Sequence, residues 1–348
     1  MHKHVFVLLV ALLSASHSLL AQSGPVSVSE PFKLGTFDRE GNEFLGLVLR
    51  DAYVVDLDRA NRDYQRSPLQ VKLPMAKDMK ELTGRYNLDL KMRIYGIVNQ
   101  LLSENRLTGS NRPSYVYALS DVRTLAPIIY PNKILAAAGN YLQHLGEMGT
   151  EAPKKGEMAY VFQKPPTTSV IGNGDFIMMP KGREKMDWEC ELAAVIGQPA
   201  KDIPLEDAKN HIFGYTIMVD VSDRGGRPET QFGVDWLLGK GHDTYAPMGP
   251  FILPAEFVDD PHDLGLKLTV NGEIMQDSKG KYLSTVMFTI YELVTHGASL
   301  LTLEPGDVVT AGSPAGVGAG RNPQVFLKRG DVVVASIEKI GSLTNTVK

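Results

Sequence analysis

Beyond residue 125 the chain is written mainly as short apolar runs cut by glycine and proline, and this pattern limits the possible folds most strongly. Leu192 to Ile196, Tyr215 to Val221, Phe251 to Leu253, Leu266 to Val270, Val308 to Thr310 and Val332 to Ile337 each have the length and residue content of a strand. One helical pattern interrupts them: Val286, Ile290, Leu293, Val294 and Leu301 share a helix face, with Ser284 or Thr285 as a plausible cap. The mixture predicts a curled mixed sheet with peripheral helices, an α+β arrangement, rather than a regular alternation of strand and helix.

Upstream, Phe32 to Leu57 reads as short strands, with Val48, Leu49, Val54, Val55 and Leu57 buried and a turn over Asp38 to Asn42. Leu90, Ile94, Ile97, Val98 and Leu101 recur at helical spacing. Ile134 to Gly139 then reads as a buried strand that opens a larger unit, placing a boundary near Leu125. The expected organisation is a small β-rich unit over residues 22–125 and a larger one over 126–348. A hydrophobic content of 43% over 348 residues is enough for a sizeable core. The net charge of −4 supplies no basic cluster for phosphate neutralisation, so a nucleic-acid partner is not expected and a small molecule is.

The N-terminus has a charged start with Lys3 and an apolar run from Val5 to Ala15, followed by a segment suited to cleavage after Ala21. The run is shorter than the roughly 20 residues of a membrane span. Residues 1–21 are thus expected to be a signal peptide, the mature protein to be exported to a periplasmic or secreted location, and no membrane association to remain. Cys190 is the single cysteine, so no intrachain disulfide can form.

Chemistry concentrates in a few segments. Glu189 and Glu191 enter a strand two positions apart, so both project to one face while Trp188, Cys190 and Leu192 point away. Two carboxylates so placed repel one another unless a cation neutralises them, and hard oxygen donors select Mg²⁺, Mn²⁺ or Ca²⁺. A solvated face is the commoner meaning of such a pair. Asp220 changes the balance, because it ends an otherwise apolar strand and would complete a three-carboxylate shell; a turn cap is its bland alternative. His144 and Glu147 stand at helical i, i+3 spacing, the layout of a base and its orienter, or of a plain surface ion pair. Lys164, Arg224 and Lys240 lie where they could serve a substrate, Lys240 by stabilising an enolate or oxyanion. The glycine-rich run Thr310 to Gly318 is suited to presenting backbone N–H groups and the Ser313 hydroxyl to a carboxylate.

Taken in order, these segments resemble the fumarylacetoacetate hydrolase family. The series comprises Asn140-Tyr141 with His144 and Glu147, Phe162 to Pro165, Glu189-x-Glu191, Gly214-Tyr215 with Asp220-Val221-Ser222, Lys240 with Asp243-Thr244, Asn271-Gly272 with Gln276, and Gly312-Ser313-Pro314-Ala315-Gly316. The resemblance implies a mixed β-roll catalytic domain behind a variable N-terminal domain, commonly as a homodimer. It implies a divalent cation, Mg²⁺ first and Mn²⁺ or Ca²⁺ otherwise, on Glu189, Glu191 and Asp220. His144 and Glu147 become the water-activating dyad, Lys240 the oxyanion partner, and Tyr141, Lys164, Arg224 and Ser313 the substrate-binding set. The sequence departs from the family where Asp223 to Pro228 replaces a common Ala-Arg-Asp context, and where Ser313 stands for threonine.

The implied activity is metal-dependent hydrolysis of a C–C bond in a small acylpyruvate or 1,3-diketo acid. Isomerisation of an unsaturated 2-hydroxy dioate or decarboxylation of a β-keto acid uses the same metal and enolate chemistry. An exported small-molecule binding protein without turnover is the alternative from a different class.

Overall fold

The computed structural model describes residues 27–152, 157–225, 229–231, 233–278 and 285–348. Leaving aside two-residue strands and single helical turns, the first part contains β1 (Lys33–Arg39), β2 (Asn42–Leu49), β3 (Tyr53–Asp56), α1 (Leu57–Tyr64), α2 (Met79–Arg85), α3 (Leu88–Ser103) and β4 (Val116–Ala118). There follow β5 (Ile134–Ala138), α4 (Leu142–Glu147), β6 (Tyr160–Gln163), β7 (Cys190–Ile196), β8 (Ile212–Val219), α5 (Trp236–Lys240) and β9 (Ala246–Pro254). The last part holds β10 (Leu266–Val270), β11 (Glu273–Ser278), α6 (Ile290–Leu300), β12 (Val308–Thr310), β13 (Val332–Ile337) and β14 (Gly341–Val347).

The larger sheet runs β4-β3-β2-β1-β9-β8-β7-β12-β5-β6. It is mixed, because β12 lies antiparallel to β7 but parallel to β5. The smaller sheet runs β11-β10-β13-β14 and ends on Phe176–Ile177. Leu268, Ala335 and Leu343 of the small sheet share one core with Leu192, Ala194 and Ile217 of the large sheet, as expected when two sheets each bury an apolar face. A second core lies on the other side of the large sheet and joins Leu34, Leu47 and Ile94 to Ala193, Val195, Ile252 and Val308. Strands before and after residue 125 belong to one sheet, through the pairing of Leu34 with Ile252.

Strands β7 and β8 are buried at every position, which suits their unbroken apolar text. Their side chains still alternate: Cys190, Leu192, Ala194 and Ile196 enter the core between the sheets, whereas Ala193 and Val195 enter the second core. Glu191 belongs to the latter set. The pleat therefore aims it away from Cys190.

Helix α3 buries Leu90, Ile94, Ile97, Val98 and Leu101 as its spacing predicts, and the Asn87 side chain caps it by accepting from the Leu90 N–H at 3.1 Å. Helix α6 begins later than its apolar spacing suggests. Val286 is bridged to Tyr141 in extended backbone, and the Phe288 N–H donates to the Asn140 side chain at 2.8 Å, so this stretch cannot join the helix. The expected cap at Thr285 is corrected to Thr289; Ser284 lies outside the described residues. Thr289 accepts from the Glu292 N–H at 3.2 Å while Glu292 accepts from the Thr289 N–H at 2.7 Å, a reciprocal capping box. Thr289→Ala should lower unfolding stability by about 1 kcal/mol, read as a lower urea midpoint, and an unchanged midpoint would show that the box contributes nothing.

Candidate active site

Antiparallel pairing of β7 with β8 places Cys190 opposite Val219 and Glu191 opposite Met218. The start of one strand therefore meets the end of the other, and the Asp220 N–H donates to the Glu189 carbonyl at 2.8 Å just beyond the paired region. Glu189, Glu191 and Asp220 consequently share one end of the sheet. One oxygen from each lies within 4.8 Å of the others, at exposures of 4%, 1% and 1%.

Three cations face this cluster. The Lys240 ammonium contacts Glu189 and reaches Asp220 Oδ2 at 2.5 Å, and Lys164 contacts Asp220 from behind while donating to the Lys240 carbonyl at 2.8 Å. Arg224 spans Glu189 Oε1 at 2.5 Å and Asp187 Oδ2 at 2.9 Å. Set against Asp187, Glu189, Glu191 and Asp220, these three cations leave one carboxylate uncompensated. That carboxylate is Glu191, which makes no ion pair among the described residues and accepts from the Gly312 N–H at 3.2 Å.

Burial pushes the Glu191 carboxyl well above the usual range, and the charges of Asp220 and Glu189 add to the effect. Burial acts the same way on Glu189, but the charges of Arg224 and Lys240 overcome it and hold that carboxyl well below the usual range. An all-oxygen, buried donor set that still lacks one positive charge fits a hard divalent cation.

The sign for Glu191 is that of a group binding protons more tightly when folded. Its stabilising contribution is present below the ordinary glutamate range and is lost as pH rises above it. Without a divalent cation, Glu191→Gln should therefore be more stable than the native chain at pH 7, by ~1–3 kcal/mol, and should flatten the fall in stability above pH ~4. Urea unfolding in chelator across pH measures both, and equal stability of the two chains at pH 7 would refute the charge deficit.

His144 and Glu147 come together as their spacing predicts, on α4: His144 Nδ1 is 2.8 Å from Glu147 Oε1, and His144 Nε2 is 3.7 Å from Glu189 Oε1. A carboxylate can only accept, so the pair assigns the proton to Nδ1 and leaves the Nε2 lone pair directed to the carboxylate cluster. The glycine-rich loop does present N–H groups to carboxylates, and those carboxylates belong to the chain itself. Gly316 donates to Glu147 at 2.8 Å, and Gly318 and Ala319 donate to Asp187 at 2.7 and 3.0 Å. Glycine is required there: Gly316 has φ +109°, and a Cβ would lie 2.2 Å from the Met275 carbonyl. Gln276 ties the loop to β7, donating to Ser313 Oγ at 2.8 Å and accepting from the Cys190 N–H at 3.0 Å.

A cavity of about 340 Å³ opens over the cluster. His144, Glu189, Glu191, Arg224, Lys240 and Ser313 line its floor, and Leu145, Met148, Tyr160, Phe162 and Trp236 line a wall. Two residues expected to bind substrate lie elsewhere. Tyr141 is packed in the core between the sheets, and Lys164 is sealed behind Asp220, so neither lines the cavity. The sequence reading missed Asp187, Tyr160 and Trp236. Asp187 gives no signal beyond one acidic residue before Trp188, but Trp236 stands four positions before Lys240 and so shares its helix face.

A profile described as fumarylacetoacetate (FAA) hydrolase C-terminal matches residues 133–348. The chain belongs to the fumarylacetoacetate hydrolase family, whose members are enzymes. It is 36% identical over 261 residues to the mitochondrial oxaloacetate tautomerase fahd2 of Xenopus laevis, covering 75% of this chain and 79% of that one. Among solved structures it is similar to a fumarylacetoacetate hydrolase of Exiguobacterium antarcticum, with TM-score 0.69, 29% identity and coverage of 91% and 99%. A fumarylpyruvate hydrolase of Pseudomonas aeruginosa in complex with Mn²⁺ and pyruvate matches with TM-score 0.55 and 30% identity, over 64% of this chain and 90% of that one. The expected export to a periplasmic or secreted location is corrected by these relatives: the Xenopus laevis, Bos taurus and Homo sapiens tautomerases are all named as mitochondrial. Residues 1–21, read as a signal peptide, lie outside the described residues.

Proposed function

We propose that this chain catalyses keto–enol proton transfer on a small 2-oxo acid with a second carbonyl at C4, oxaloacetate being the simplest, with a divalent cation on Glu189, Glu191 and Asp220. The observation that carries this reading is His144 Nε2, held by Glu147 and directed to the carboxylate cluster at the cavity floor. The tautomerase names of relatives 36–40% identical support it. When bound, the cation would supply Lewis acidity to the substrate's oxygens and lower the cost of enolate charge. Mg²⁺ is the first choice for this role and Mn²⁺ the second.

The chain's own residues do the rest. His144 Nε2 takes a proton from C3 and returns one to oxygen, so the reaction balances as an isomerisation. Glu147 fixes the ring and stabilises the imidazolium that forms. Arg224 and Lys240 place positive charge beside the floor, where the enolate develops.

Hydrolysis of an acylpyruvate is the second reading, favoured by the likeness to a hydrolase that holds Mn²⁺ and pyruvate. The same base would take its proton from water; water adds to C4, the C3–C4 bond breaks, and the electron pair stays on C3 as the enolate of pyruvate. Turnover of oxaloacetate, followed by its enol absorbance with Mg²⁺ or Mn²⁺, separates the two from pyruvate release out of acetylpyruvate. His144→Ala should lower either rate by ~100-fold or more while calorimetric Mn²⁺ affinity is kept. Retained turnover would remove His144 from the mechanism, and lost Mn²⁺ binding would make it part of the metal site.

A further inference from the structure

The wall of the cavity is unlike its floor. Phe162 and Tyr160 lie two positions apart on β6 and so face the same side, and Trp236 shares a face of α5 with Lys240. The Lys240 ammonium lies 5.4 Å from the Phe162 ring, Phe162 lies 4.9 Å from Trp236, and Trp236 lies 5.1 Å from Tyr160. These contacts form a continuous aromatic row that begins at the cation beside Glu189 and leads outward. Phe162 is 9% exposed and Tyr160 54%, so the row runs from the buried floor to the mouth. Met148, four positions after His144, adds a further apolar side chain to the lining.

Charge is distributed as unevenly. Arg224 and Lys240 are the only Arg or Lys side chains among the described lining residues, and both are engaged with floor carboxylates. Glu151 is the charged residue beside Met148 and Thr150 in the remaining lining. A substrate with a second carboxylate at its far end would set that charge against Glu151 and the aromatic faces with no described cation to receive it. An apolar planar group would stack on the row instead. The volume agrees: about 340 Å³ falls in the range of pockets for drug-sized ligands, roughly 300–1,000 Å³, and exceeds the needs of a four-carbon diacid.

We infer that the substrate is a 2,4-dioxo acid whose C4 substituent is an apolar planar group, aryl or conjugated alkenyl, seated on Phe162, Trp236 and Tyr160, and that Trp236 sets this specificity. The inference deepens the enolising reading and rests on it for the position of the dioxo acid head.

The test compares kcat/KM for benzoylpyruvate, acetylpyruvate and fumarylpyruvate on the Mn²⁺-loaded full chain, scoring tautomerisation or cleavage. Benzoylpyruvate should exceed both others by about tenfold or more. Trp236→Ala should erase most of that ratio and Trp236→Phe should restore it. Equal or better use of fumarylpyruvate or acetylpyruvate overturns the inference, as does a Trp236→Ala loss that is the same for all three, the mark of a structural role. Oxaloacetate serves as the control: if it turns over and none of the three does, the inference falls and the enolising reading stands, whereas if it too is inert, the enolising reading falls and calorimetry decides the inference alone. Phenylpyruvate binding about tenfold tighter than pyruvate, with the difference lost in Trp236→Ala, upholds it; equal binding overturns it.

Discussion

Crowding of Glu189, Glu191 and Asp220 at one end of the β7–β8 pair is the constraint to which the surrounding structure responds. Two like charges ~4 Å apart repel by about 4 kcal/mol at the effective dielectric of a protein surface, and more when buried. Strand pairing imposes this cost, since the register that joins Cys190 to Val219 also brings the three carboxyl groups together. Lys164, Lys240 and Arg224 offset most of it. The remainder stays on Glu191, which accepts from a backbone N–H and makes no ion pair among the described residues. A cluster balanced by protein cations alone would have no need of a metal. A cluster one charge short has a standing affinity for one.

Secondary contacts extend the same logic outward. Asp187 holds Arg224 against Glu189 and takes the Gly318 and Ala319 N–H groups, so the arginine and the glycine-rich loop share one anchor. Glu147 holds His144 and also takes the Gly316 N–H, tying the base to that loop. Gln276 closes the circuit to β7 through Cys190 and Ser313. The loop therefore works by fixing the chain's own acids in place. Preorganisation of this kind keeps a base within reach of a reacting carbon without reorganisation during the reaction.

Legibility in the sequence followed how local each signal was. Glu189-x-Glu191 and Asp220 were readable because strand alternation and an acidic end to an apolar run are local facts, and their convergence needed only antiparallel pairing. His144 and Glu147 were readable from helical spacing. Lys164 misled, because a lysine buried behind a carboxylate and one in a cavity look alike in sequence; burial lowers its proton affinity while Asp220 opposes that effect. Tyr141 misled for a similar reason, its ring going to the core between the sheets. The late start of α6 was in fact legible, since Thr289 and Glu292 spell a capping box that apolar spacing alone overrode. Sharing of one sheet across residue 125 was not legible, because strand order depends on contacts distant in sequence.

The chemistry at the floor and the choice of substrate reside in different parts of the molecule. Carboxylates, base and cations are fixed by paired strands and by contacts to the loop, and they suit any reaction that begins with an enolate. The wall is carried on β6, α5 and the residue that ends α4, where Tyr160, Trp236 and Met148 make no contribution to charge balance. Those residues can change without disturbing the cluster, provided Lys240, four positions after Trp236, and His144, four before Met148, keep their places. Relatives of this chain carry names as different as tautomerase and hydrolase. A floor suited to any enolate reaction is compatible with either name, so the reaction has to be read from the wall together with the floor.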